Sequence, residues 1–238
     1  MDYRDHQRGV PADYFWFRAK RDLIASLFRR HTPARDLSIL NVGAGVGEDL
    51  EVIRRHGRVQ ILDASPEAVA LVPEALVEAK QVGDVCALPF ADATFDVVTA
   101  FDLLEHVEDD HVALAEIRRV LRPGGALLLT VPAHAFLYGA HDRALGHHRR
   151  YSRATLQRLL SGLELERLGY WTCTLFLPLA AHRWLDRGRD RSSLSYFELD
   201  PRLDRLFYRL MALEMTLLRW GAPLPMGTSL FAVARRTA

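Results

Sequence analysis

Three glycines and three acids are spaced as a nucleoside site would need them. Gly43, Gly45 and Gly47 follow an apolar run over 37–42, with Ala44 and Val46 between them. Glycines let a strand turn tightly into a helix and bring backbone N–H groups close to a ligand. Alone, such an array serves many nucleotide-binding folds. Asp63 ends a second run over 59–63, where a carboxylate could accept hydrogen bonds from both hydroxyls of a ribose. Asp84 follows a weaker run over 79–83 and could accept one from an adenine amino group. Glu48 narrows the ligand further, because it stands where the dinucleotide fingerprint G-x-G-x-x-G needs its third glycine. A carboxylate there would repel a pyrophosphate at the helix N-terminus. The lysine and Ser/Thr of a P-loop are missing as well.

These residues point to an adenosine compound without phosphate, of which S-adenosylmethionine is one. A second set of reactive side chains comes later in the chain. His134, His141, His147 and His148 share a long connection with Arg149 and Arg150. For an acceptor that arrives protonated, His141 or His147 would be the general base, and Arg149 would hold an anionic acceptor. The alternative is structural: the arginines pair with Asp142 or Glu48 and pin the loop, while Tyr151 and Ser152 cap the next helix. The histidine spacing matches no zinc pattern and the arginines oppose a cation, so no metal is expected. His106 reads either as a packed histidine or as a contact to cofactor or substrate. Glu214 lies among Leu203, Phe207, Leu210 and Leu217, where it pairs with an arginine or faces an acceptor pocket.

The elements that must position these groups alternate between strand and helix. Strands are expected over 37–42, 59–63, 79–83, 95–100, 126–131, 163–171 and 227–235. Helices are expected over 12–30, 48–56 with Gly57 as its C-terminal cap, 66–72, 109–121, 152–160 and 201–220. The stretch 122–125 is read as a helix stop. This alternation is the signature of a parallel sheet with helices on both faces. The expected organisation is a single domain, 1–238: a helical lid over 1–35, a Rossmann-like α/β core over 36–171 and 226–238, and a helical cap inserted over 172–225. The aromatic cluster 14–17 either packs the leading helix on the domain or places it over the glycine loop.

At 238 residues and 49% hydrophobic, the chain can bury a large core. A net charge of +1 gives no electrostatic case for nucleic acid. Cys86 and Cys173 are far apart and form no metal or redox motif, so a reducing cytoplasm is the expected location. No signal-peptide pattern opens the sequence and no apolar run is long enough to span a bilayer. The apolar-aromatic segment 171–181 can serve as core, as a contact between two copies in a homodimer, or as a wall for a greasy acceptor.

Residues 38–132 resemble the core of the class I S-adenosylmethionine-dependent methyltransferases. The matching blocks are 40–47 (LNVGAGVG), 62–67 (LDASPE) and 83–85 (GDV), followed by 88–90 (LPF), 95–98 (FDVV), 104–107 (LEHV) and 118–125 (RRVLRPGG). The resemblance implies that Gly43, Ala44, Gly45 and Gly47 line the methionine part, and that Asp63 with Ala64 holds the ribose. Asp84 and Val85 would frame the adenine, while Phe101, Asp102 and Leu103 approach the amino acid end or the sulfonium. It also implies a seven-stranded sheet with an antiparallel last strand. The segments 141–142 (HD) and 146–151 (GHHRRY) resemble a small-molecule branch of the same superfamily that carries a Gly-His-x-Arg-Arg-Tyr segment and opens with an aromatic-basic helix. The implied activity is methyl transfer to a small acceptor, one with a lipid or polyprenyl part among the candidates. The rivals are other chemistry with the same cofactor, such as cyclisation or decarboxylation, and a cofactor-binding pseudoenzyme that acts through a protein interface.

Overall fold

Successive side chains of a strand point to opposite faces of its sheet, and here each face is apolar. Ile39, Val97, Leu128 and Phe231 join one core, while their neighbours Leu40, Val98, Leu127 and Ala232 join another on the far side. The computed structural model describes residues 11, 13–32, 36–185 and 200–237, the side chains of 182–185 excepted. The lid expected over 1–35 and the cap expected over 172–225 lie in part outside the described residues.

The strands are β1 (Leu37–Val42), β2 (Gly57–Asp63), β3 (Ala79–Val82), β4 (Phe95–Phe101), β5 (Leu121–Pro132), β6 (Glu164–Trp171) and β7 (Ser229–Arg235). They form one seven-stranded sheet in the order β3-β2-β1-β4-β5-β7-β6. Neighbours from β3 to β5 are parallel, and β7 runs antiparallel to both β5 and β6. The chain order reverses between β1 and β4. Ligands of such sheets bind beyond the carboxyl ends of the strands at that switch point.

The helices are α1 (Phe15–His31), α2 (Leu50–Ile53), α3 (Pro66–Leu71), α4 (Asp110–Val120), α5 (Ala140–Leu145), α6 (Arg153–Leu159), α7 (Phe176–Leu185) and α8 (Pro201–Arg219). Residues of α1, α2 and α8 (Phe28, Leu50, Met211) join the first core, and residues of α4 and α6 (Ile117, Leu156) join the second. Ser65 caps α3 as its sequence promises, its Oγ accepting from the Ala68 N–H at 3.1 Å with Pro66 at the first helical position. The start of α1 is tied to α8, since Asp204 accepts from the Phe15 N–H at 2.8 Å and from Arg18 at 2.6 Å. Tyr208 of α8 donates to Asp22 of α1 at 2.9 Å.

Three expectations are corrected by backbone geometry. The helix after the glycines is a single turn, α2, continued by a 3-10 turn at Arg54–His56. Gly57 is extended rather than left-handed and already belongs to β2, where a Cβ would lie 2.0 Å from the Leu37 carbonyl oxygen. Close approach of β1, not helix capping, demands glycine there. The stretch 122–125 does not end α4, which stops at Val120; it lies inside β5, with Gly124 at φ +78°. Glu214 pairs with backbone and hydroxyl donors rather than with an arginine. Its Oε2 accepts from the N–H groups of Cys173 (2.8 Å) and Thr174 (3.0 Å) and from the Thr174 hydroxyl (3.2 Å), fixing the approach to α7.

Candidate active site

The first four strands deliver their ends to one edge. Gly43, Gly45 and Gly47 all have positive φ (+66°, +53° and +84°), so the loop beyond β1 folds back in turns that other L-residues resist. Gly43 also packs under Leu103, whose Cδ1 would lie 2.7 Å from an added Cβ. Asp63, at the end of β2, reaches across to this loop. Its Oδ2 accepts from the Gly45 N–H at 2.7 Å, and its Oδ1 accepts from the Ser65 N–H at 2.9 Å. An ionised carboxylate has about four acceptor sites, so two hydroxyls can still be received. Ala44 is buried and Ala64 exposed. Asp84 is exposed and caps a 3-10 turn through the Cys86 N–H at 2.8 Å, while Val85 is buried. Phe101 is buried at the end of β4, and Asp102 follows in the left-handed region at φ +53°. The cofactor residues expected from sequence therefore share the carboxyl edge of β1 to β4.

Lys20 is the residue that sequence reasoning missed. It comes from α1, is 3% exposed, and bridges Asp102 at 2.8 Å and Asp49 at 3.1 Å. Burial opposes its charge, but the two carboxylates win and hold the ammonium well above the usual lysine range. Burial likewise opposes the charge on Asp102; the Lys20 ammonium and the Thr130 hydroxyl outweigh it and keep the carboxyl low. A signal was present, since Lys20 interrupts a helix face that otherwise buries Ala19, Leu23, Ile24 and Leu27. Glu48, beside this clamp, has its Oε2 buried without a hydrogen-bond partner. Burial, with Asp49 next to it, raises its pKa. A ligand bearing an ammonium group and a ribose fits these two sets of acceptors.

The histidine-arginine segment is organised around Asp142, which is fully buried. Its carboxylate receives the Gly139 N–H at 3.0 Å, His147 Nδ1 at 3.0 Å and Arg150 Nε at 2.7 Å. Arg150 thus takes the partner expected of it. Arg149 does not pair with Asp142 or Glu48: it bridges Asp110 at 2.9 Å and donates to the Glu108 carbonyl at 2.6 Å. Tyr151 is buried against the same aspartate, its hydroxyl 2.7 Å from Asp110 Oδ2. His141 is half-buried on α5 and is engaged with neighbours. His147, its side chain 9% exposed, meets His106 edge to face with ring centroids 4.6 Å apart. His106 sits on a 3-10 turn, Leu104–His106, next to Glu105. Glu105 is 1% exposed, and burial, with Asp102 nearby, drives its carboxyl well above the usual range.

Comparison with known proteins agrees with this geometry. The model of the Methyltransferase domain family matches residues 40–129, from within β1 to within β5. The "Probable S-adenosylmethionine-dependent methyltransferase" of Mycolicibacterium smegmatis is 32% identical over 165 residues, covering 66% of this chain and 63% of that protein. An O-methyltransferase of Aspergillus sclerotiorum is 41% identical over 102 residues, 38% of each chain. The chain thus spans 63% or less of the length of these curated relatives. Phosphoethanolamine N-methyltransferase 2 of Haemonchus contortus, solved with S-adenosyl-L-methionine, shares the fold. Its TM-score is 0.61 at 17% identity, over 92% of this chain and 53% of that one.

Proposed function

We propose, because the chain belongs to the class I S-adenosylmethionine-dependent methyltransferase superfamily, that it transfers a methyl group from S-adenosylmethionine to a small-molecule acceptor with an apolar part. The observation that carries this reading is the grip of Asp63 on the Gly45 N–H, which sets a carboxylate with spare acceptor capacity against the glycine loop. Asp63 would hold the ribose, with Asp84 and Val85 around the adenine. The loop 43–47, with Leu103 packed on it and Glu48 at its exit, would hold the amino acid end. Bound there, S-adenosylmethionine supplies an electrophilic methyl group on a sulfonium. The protein's contribution is alignment: a rigid loop, a clamp of α1 through Lys20 onto Asp49 and Asp102, and exclusion of water. His147, oriented by Asp142, would serve as base where the acceptor carries a proton.

The apolar part of the acceptor is supported by the outer face of α8. Leu203, Leu206, Leu210, Leu213, Leu217 and Trp220 recur at three- and four-residue spacing and are all exposed, Trp220 at 80%. Arg202, Arg205, Arg209 and Arg219 are exposed beside them, while Asp204 is occupied by Arg18. An apolar stripe flanked by arginines suits an anionic lipid surface; two copies meeting along it would bring like charges together. No helix among the described residues is long and apolar enough to cross a membrane. The test is formation of S-adenosylhomocysteine with a panel of polar and polyprenyl-linked acceptors. Turnover confined to acceptors with an apolar tail is expected. Cofactor binding without turnover of any acceptor would overturn the enzymatic reading, and turnover of polar acceptors alone would overturn the lipid-like one.

A further inference from the structure

We propose that Glu105, His106 and His147 form a binding site for one divalent transition-metal ion, of the Zn2+ or Co2+ class, beyond the carboxyl end of β4. The histidine spacing in the sequence hides such a site, because its ligands come from two segments. Glu105 and His106 lie on the 3-10 turn after β4, and His147 lies after α5. One ligand atom from each of the three lies within 4.8 Å of the others. Ligands at bond lengths of about 2.0–2.2 Å sit roughly 3 Å apart, so the three side chains must draw closer as an ion binds.

Two further observations point to a ligand. Glu105 is 1% exposed, and its Oε2 is buried without a hydrogen-bond partner. Leaving such an atom unsatisfied is costly, because it has lost its water and gained no partner in return. His147 is held through Nδ1 by buried Asp142, the carboxylate–histidine arrangement that orients an imidazole to ligate through its other nitrogen. The two segments are also stapled together, since the His148 N–H donates to the Glu105 carbonyl at 2.7 Å.

Charge does not forbid the ion. Arg150 is matched by Asp142 and Lys20 by Asp49 and Asp102. Two imidazoles with one carboxylate favour a transition ion over Mg2+ or Ca2+, which prefer oxygen donors throughout. With three protein ligands, the ion keeps a coordination position for water or an acceptor oxygen, and His147 is then a ligand and no longer the base. The acceptor's place there rests on the methyl-transfer reading; the site itself does not.

The test is titration of the chelator-treated full chain with Co2+, followed by visible absorption and by metal analysis after dialysis, without S-adenosylmethionine or acceptor. One equivalent is expected, with nitrogen-ligand absorption. Glu105→Gln and His106→Ala should each weaken binding by more than about 100-fold, beyond what outer ligands contribute. His111→Ala, on the exposed face of α4, should bind as the parent does. Circular dichroism identifies a variant that has not folded, and the other variant then decides. Binding below one equivalent in the parent, or binding unchanged in the folded variants, overturns the site. Because the assay contains no methyl donor, neither result depends on the methyl-transfer reading.

Discussion

Asp63 and Asp142 are both carboxylates that anchor a loop, yet they do so with different partners. Asp63 receives backbone N–H groups from Gly45 and Ser65, neighbours fixed by the turn after β1 and by the start of α3. Asp142 receives one backbone N–H together with the side chains of His147 and Arg150. Backbone partners persist through most substitutions, so the cofactor side depends on glycines and on where strands end. Side-chain partners must be matched one by one, which makes the Asp142 segment specific to its own network and sensitive to single changes.

The largest effect that would test this contrast is at Asp63. Asp63→Ala removes a charged acceptor for two hydroxyls, at about 1.5–3 kcal/mol per bond. Affinity for S-adenosylmethionine should therefore fall by about 100-fold or more in calorimetry. Lys20→Met comes next. Removing one partner of a buried ion pair costs about 3 kcal/mol or more, and urea unfolding should record it. The pH dependence follows from the two shifts. Asp102 is lowered, so its share of stability is present above about pH 4 and is lost as pH falls through its folded pKa. Lys20 is raised, so its share is present below about pH 10 and is lost as pH rises through its folded pKa. The deficit of Lys20→Met should be constant across the neutral range and shrink in acid.

Arg149→Ala sharpens the comparison on the other side. Its ion pair with Asp110 is part-exposed, so a loss of about 1 kcal/mol in stability is expected, with cofactor affinity unchanged. A raised KM for the acceptor at full stability would instead return Arg149 to substrate binding. The smallest effect is at the surface. Leu213→Glu should weaken binding to phosphatidylserine vesicles without altering cofactor affinity. Unchanged vesicle binding would sink the lipid-surface reading, as would a dimer that this substitution dissociates.

Much of the fold was legible because it is periodic. Apolar runs that alternate with helical segments, the glycines after β1 and the acid ending β2 are local signals, and each lies where the sequence places it. Gly57 and Gly124 were misread because a glycine reports that something unusual happens, not whether the reason is a turn or a neighbouring backbone. Lys20 and the Glu105–His106–His147 cluster were missed for a different reason. Their partners are distant in sequence and meet only when α1 and the segment after α5 fold onto the sheet edge. Arg149 illustrates the same limit, since its partner Asp110 lies at the start of α4, far earlier in the chain.

The central claim is that the carboxyl edge of β1 to β4 holds S-adenosylmethionine. Calorimetric titration with S-adenosylmethionine, S-adenosylhomocysteine and NAD, on the parent and on Asp63→Ala, tests it most directly. The account predicts one site for each of the first two ligands, lost in Asp63→Ala, and no binding of NAD. Binding of NAD alone, or S-adenosylmethionine affinity untouched by Asp63→Ala, would contradict it.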